Sequence, residues 1–315
     1  MQMQKPPFEL LFEAPITYPD SDYRERLADL VGLDTHIDRL QKMLAVLINP
    51  SGIQKWQKQY HPGADNLLNY VLKRPPLVVL AGDVGSGKTE LASTIGDAVA
   101  RQEKIDIELY PLSLASRGEG RVGQMTQLVS AAFDYTMEKA QKLKSASEKS
   151  RGAVILLVDE ADSLTQSREN SQMHHEDRAG VNAFIRGIDR LANAKVPAAV
   201  ILCTNRSTAL DPAIKRRAAE ILIFSRPNKE QRLHVLNKSL SGLKLSETTI
   251  AQLAEATGTK GERNYGFTYS DLTQRLIPAL VFNAYPDRSI SQDNLLEIAK
   301  KVVPTPPFND KTNNA

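Results

Sequence analysis

At 315 residues the chain exceeds the usual size of one hydrophobic core, so one large domain with a smaller companion is expected. Forty basic and 37 acidic residues leave a formal charge of +3, which removes any chain-wide electrostatic reason to expect nucleic acid or anionic lipid as the partner, although local basic patches are still allowed. A single cysteine, Cys203, lies within an apolar run; it excludes an intrachain disulfide and reads as a buried thiol in a reducing, cytoplasmic setting.

The first stretch, residues 1–28, carries "KPPF" and "APITYPDSD", whose prolines favour extended and turn conformations and predict an arm rather than a domain. It has no apolar signal core, and no segment of the chain approaches the length that spans a bilayer. Residues 29–225 then alternate short apolar runs with helical patterns: "LVVLAG" at 77–82, "IDIELY" at 105–110, "AVILLV" at 153–158, "AAVILCT" at 198–204 and "EILIF" at 220–224. Apolar runs of that length between helices predict an α/β domain around a parallel five-stranded sheet buried on both faces. Val129, Ala132, Phe133, Thr136, Met137 and Ala140 form one helical stripe, and Val181, Phe184, Ile185, Ile188 and Leu191 another; both read as sheet-facing core. After Phe224 the strand signals stop. Residues 226–303 are read as a small all-helical lid domain, with Ser246 and Ser291 as helix caps and a kink at Pro278, and 304–315 as a flexible tail.

The chemistry concentrates at strand ends. "GDVGSGKT", Gly82 to Thr89, follows a predicted strand and opens a helix, the setting of a phosphate-binding loop. Backbone N–H groups of Gly82, Asp83, Val84, Gly85, Ser86 and Gly87 would close around phosphate oxygens of ATP. Lys88 would reach the β and γ phosphates, Thr89 would ligate Mg2+, and Glu90 follows in the first helical turn. "AVILLVDEADSL" ends a strand with Asp159 and Glu160: the first suits magnesium held through water, the second can accept a proton from attacking water. An acidic pair there can also be a mere helix N-cap. Asn205, ending "ILCTNRS", can orient water and touch the γ phosphate, or simply form a turn. In "LDPAIKRRAAEILIF" nothing in the same subunit obviously needs both Arg216 and Arg217. In an assembly they can enter a neighbour's ATP site as arginine fingers, Arg217 foremost; otherwise they form a solvated basic turn.

This order of phosphate loop, acidic strand end, asparagine, paired arginines and helical lid resembles an AAA+ ATPase over about residues 28 to 303. The resemblance implies a homo-hexameric ring with ATP and magnesium between subunits. "LVGLDTHI" at 30–37 looks like the family's entry segment, placing Val31 and Gly32 against adenine; "YGFTYSDL" at 265–272 looks like the second sensor region, placing Gly266 near the nucleotide. Ser270 stands where many relatives have arginine or alanine. "VDEADSLTQSRE", "EDRAGVNAFIRGIDRL" and "AIKRRAAEI" look most like the pachytene-checkpoint branch, which remodels HORMA-domain proteins; its bacterial members accompany cGAS-like nucleotidyltransferases in anti-phage operons called CBASS. The resemblance implies a HORMA protein as client, held on such a nucleotidyltransferase. A DNA-handling AAA+ protein, a loader or transposition helper, is the rival reading.

The stretch "SRGEGRVG" is polar, carries glycines at 118, 120 and 123, and predicts a loop entering the helix that follows. In remodellers of this family the equivalent segment lines the central channel. Arg121 and Val122 would grip an extended peptide there through an aliphatic stem and hydrogen bonds, with Arg117 and Glu119 at the rim. A surface loop without substrate contact is the alternative.

Overall fold

The computed structural model describes residues 5–112, 124–145, 150–162, 175–206, 210–261 and 263–307. The channel-loop residues Arg117, Glu119, Arg121 and Val122 therefore lie outside the described residues. The chain divides into two compact units: residues 1–29, 35–81 and 89–223 make one, and residues 30–34, 82–88 and 224–315 the other.

The first unit is built on a sheet with strand order β1-β3-β4-β5-β2-β6. The strands are β1 (Ile16–Tyr18), β2 (Leu77–Gly82), β3 (Asp106–Leu112), β4 (Gly152–Val158), β5 (Ala198–Thr204) and β6 (Glu220–Phe224). β2, β4 and β5 are buried at every position, which is why their sequences are continuous apolar runs rather than alternating ones. β3 pairs parallel to β4, β4 to β5 and β5 to β2; the register runs Val154↔Ala198 and Leu77↔Val200.

The sheet differs from the expected five parallel strands by β1, which runs antiparallel to β3 in register Ile16↔Leu109. The N-terminal arm thus closes a sheet edge. Pro15 and Pro19 bracket the three-residue strand, too short to give a periodic signal, and suit an edge where no outer partner is needed. A short α1 (Phe8–Leu11) precedes β1, and after it come α2 (Ser21–Ala28), capped by the Asp20 carboxylate, α3 (Asp34–Ile48), α4 (Ser51–Tyr60) and α5 (Asp65–Leu72). The arm grips α6 (Lys88–Glu103) at three places. The Tyr18 ring lies against Gly96, where a Cβ would sit 2.3 Å from it, and its hydroxyl donates to the Ser93 carbonyl. The Asp20 N–H donates to the Asp97 carboxylate at 2.7 Å. Arg26 forks onto Glu90 at 2.8 and 2.9 Å.

Both predicted stripes are core. α7 (Gln124–Leu143) buries Val129, Ala132, Phe133, Thr136, Met137 and Ala140, and α8 (His175–Ala194) buries Val181, Phe184, Ile185, Ile188 and Leu191. Phe133 meets Phe184 edge-on, ring centroids 5.6 Å apart, and its ring occupies the space a Cβ at Gly187 would need.

The second unit has its own core of Leu236, Leu253, Phe267, Leu272, Leu276, Leu280 and Leu295, with Val31 and Tyr269 packed against it. α10 (Lys229–Ser239) opens with a capping box between Asn228 and Gln231, and α11 (Glu247–Ala256) is capped by Ser246. Ser291 occupies the N-cap of α13 (Gln292–Lys301) without a side-chain hydrogen bond. The expected kink at Pro278 takes the form of a π-helical turn, Asp271–Leu276, just before α12 (Ile277–Ala284). Proline offers no N–H to the carbonyl four residues back, and the helix answers with wider turns in which Ile277 N–H reaches the Leu272 carbonyl. Among the described residues no helix is long and apolar enough to cross a membrane.

Candidate functional site

The loop after β2 has the shape its sequence demands. Gly85 and Gly87 adopt φ of +68° and +94°, in the left-handed region closed to most side chains. A Cβ on Gly85 would meet the Thr268 hydroxyl at 2.7 Å. The Lys88 ammonium is buried and donates to the carbonyls of Gly82 at 3.1 Å and Asp83 at 2.7 Å, and Ser86 donates to the Asp83 carbonyl at 2.6 Å. A glycine-lined turn at the N-terminus of a 16-residue helix, with a lysine inside it, fits a polyphosphate: amide donors and the positive helix end face the same ligand. Thr89 is exposed, so its hydroxyl is open to a metal, whereas the Glu90 carboxylate is already held by Arg26.

Around this loop the second unit gathers residues distant in sequence. Ser270 donates its backbone N–H to the Gly85 carbonyl at 3.2 Å, while its hydroxyl goes to Gln274. The position where relatives have arginine or alanine thus contributes main chain to the loop. Gly32 accepts from Gln231 at 3.0 Å, and a Cβ there would lie 2.8 Å from the Tyr269 hydroxyl. Burial, then the nearby Asp34 carboxylate, push that phenol up to about 12. The segment carrying Val31 and Gly32 is therefore seated on lid side chains. Gly266 sits against the backbone of Thr257 and Gly258, and its carbonyl accepts from Arg226 at 2.7 Å.

In the first unit the acidic pair follows β4 directly. Glu160 has φ of +47°, a conformation that costs a non-glycine residue about 1–3 kcal/mol, and its side chain is exposed. The Asp159 carboxylate accepts the Glu160 N–H at 2.8 Å. Sequence reasoning passed over Asp162, which organises the neighbouring strand end. Its carboxylate accepts from the Thr204 hydroxyl and the Asn205 N–H, both at 2.8 Å, and from the Asn205 side-chain amide at 3.4 Å. Ala161 N–H donates to the Cys203 carbonyl at 2.9 Å. The turn bearing Asp159 and Glu160 and the end of β5 bearing Asn205 are thereby fastened together. The only local signal was one more acidic residue in "DEADS".

The arginines divide. Both lie on α9 (Pro212–Arg217), but Arg217 forks onto Asp189 of α8 at 2.7 and 2.9 Å and also donates to the Ala213 carbonyl. The Arg216 side chain is exposed, with no hydrogen bond or ion pair to another described residue. Asp189 thus engages Arg217, the arginine favoured from sequence as the finger, within the same unit.

Residues 78–226 match the family described as "ATPase family associated with various cellular activities (AAA)". CD-NTase-associated protein 6 of Escherichia coli (strain MS 115-1) is 64% identical over 307 residues, covering 98% of this chain and 99% of that protein. A chain from the solved E. coli MS115-1 HORMA:CdnC:Trip13 complex superposes with a TM-score of 0.91 at 63% identity, covering 97% of this chain and 100% of its own. Rhizobiales Trip13 gives a TM-score of 0.74 at 56% identity, covering 94% and 100%.

Proposed function

The chain belongs to the AAA ATPase family, and on that footing we propose that it is an ATP-driven protein remodeller working as a homo-hexameric ring. Its client is a HORMA-domain protein held on a cGAS-like nucleotidyltransferase, and partial unfolding of the HORMA protein dismantles that complex and switches anti-phage signalling off. What carries the reading is the near end-to-end likeness to a chain solved together with HORMA and CdnC, with the phosphate loop and acidic strand end intact here.

Magnesium, once bound to ATP, offsets phosphate charge; Thr89 and Asp159 are the residues to hold it. The chain's own residues do the rest. Lys88 and the loop amides fix the phosphates, Glu160 accepts a proton from the attacking water, and Asn205, held by Asp162, orients that water. Arg216, projecting from its own subunit, stabilises charge developing on the neighbour's γ phosphate, which makes hydrolysis depend on assembly. Arg121 and Val122 grip the client.

Glu160→Gln is expected to bind ATP, lose hydrolysis by about a hundredfold or more, and retain the HORMA protein with its nucleotidyltransferase in a pull-down. Normal turnover by this variant, or a pull-down that yields neither partner, overturns the assignment.

A further inference from the structure

Arg226 lies between β6 and α10 and belongs to no motif. It is nonetheless among the most enclosed cations of the second unit, with its side chain 11% exposed. Its Nε donates to the carboxylate of Asp83 within the phosphate loop, and its Nη1 donates to the carbonyls of Gly266 and Thr305, both at 2.7 Å. The guanidinium lies 5.0 Å from the centre of the Tyr265 ring. One planar cation therefore joins the loop, the second sensor segment and the C-terminal segment.

Thr305, near the start of the segment read from sequence as a tail, donates its N–H and hydroxyl to the fully buried Asp271, at 3.0 and 2.7 Å, while its carbonyl receives Arg226. Asp271 also accepts from Thr268 N–H at 3.0 Å and from Arg275 at 3.1 Å. The Thr268 hydroxyl is the atom a side chain on Gly85 would strike, and Ser270 N–H holds the Gly85 carbonyl. The loop is thus gripped at Asp83 and at Gly85 by groups that converge on Asp271 and Thr305.

We propose that Arg226 is a positioning residue of the nucleotide site: it latches Asp83 to Gly266 and Thr305, so that the segment around Thr305 acts as a strap setting the shape of the phosphate loop. The latch adds, from the β6–α10 connection, a side-chain tie at Asp83 to the main-chain tie that Ser270 makes at Gly85. The proposal rests on the ATPase reading only for its kinetic consequence; the mechanical coupling stands by itself.

Two measurements on the full-length chain test it. In nucleotide-free protein, Arg226→Ala is expected to speed amide hydrogen exchange about tenfold in peptides covering 82–88 and 302–307 together, with α7 and α8 unaffected. In steady-state hydrolysis it should raise KM for ATP about tenfold while kcat changes by less than about threefold, and Arg226→Lys should recover part of the loss by keeping the Asp83 link. Asp83→Asn, which leaves Arg226 its two carbonyls, should reproduce the KM effect and serves if Arg226→Ala fails to fold. The double variant should be no worse than either single one. Unchanged exchange in 82–88, or multiplying effects in the double variant, overturns the latch. Wild-type protein that hydrolyses no ATP would sink the ATPase reading instead, and exchange would still decide the coupling.

Discussion

Replacing Asp162 by alanine removes one carboxylate and three hydrogen bonds at the end of β5: from the Thr204 hydroxyl, the Asn205 N–H and the Asn205 amide. The two at 2.8 Å are well formed, and the third at 3.4 Å is weak. Charged acceptors hold such donors with about 1.5–3 kcal/mol each, but water can reach a half-buried site, so a net loss of about 2–3 kcal/mol is expected. In a unit of this size that corresponds to a fall in Tm of about 4–12 °C. The kinetic effect should be larger in proportion. A polar group released from its place beside a developing charge costs about a hundredfold or more in kcat, equivalent to roughly 3 kcal/mol. The decisive assay is a cycle of kcat values for wild type, Asp162→Ala, Asn205→Ala and both together. If Asp162 acts through Asn205, the double variant matches Asn205→Ala within a factor of about three. Losses that multiply, or full activity in Asp162→Ala, would refute the assignment.

Two further outcomes follow from the ionic groups. Burial pushes the Asp271 carboxyl upward, but donors from Thr268, Thr305 and Arg275 outweigh it and hold the group below its ordinary value. A depressed carboxyl stabilises the fold above the unfolded value and loses that contribution as pH falls through the folded one; chemical denaturation between pH 6 and about pH 3 should show a steeper decline for wild type than for Asp271→Asn, and parallel declines would contradict it. Arg216→Ala should leave Tm unaltered yet abolish ATP hydrolysis. Arg217→Ala should lower Tm through the lost Asp189 pair, which is worth no more than about 1 kcal/mol of stability for so exposed a contact; the reverse pattern would exchange the two roles.

Much of the fold could be read because its signals are local and repetitive. The stripes on α7 and α8, the apolar runs of β2, β4 and β5, and the glycines before Lys88 each announce themselves within a few turns of chain. What escaped depends on partners far away. β1 is three residues between prolines and becomes a strand only because β3 offers an edge. Arg226 and Asp83 are 143 residues apart, and Thr305 meets Asp271 across 34. Such pairings leave no periodicity. Asp162 hid in plain view, since an acidic residue after a strand-end pair looks like an ordinary helix start. The Arg217–Asp189 pair, 28 residues apart, likewise left no local signal.

The antiparallel strand at the margin of the sheet has a bearing on which extended chains could attach there. A naked margin on β3 would offer a row of amides and carbonyls onto which any threaded polypeptide could zip by strand addition and stall. With Ile16–Tyr18 already seated there, Ile107–Leu109 of β3 are taken, and the edge that replaces them is a strand of three residues between two prolines, too short to hold a foreign strand.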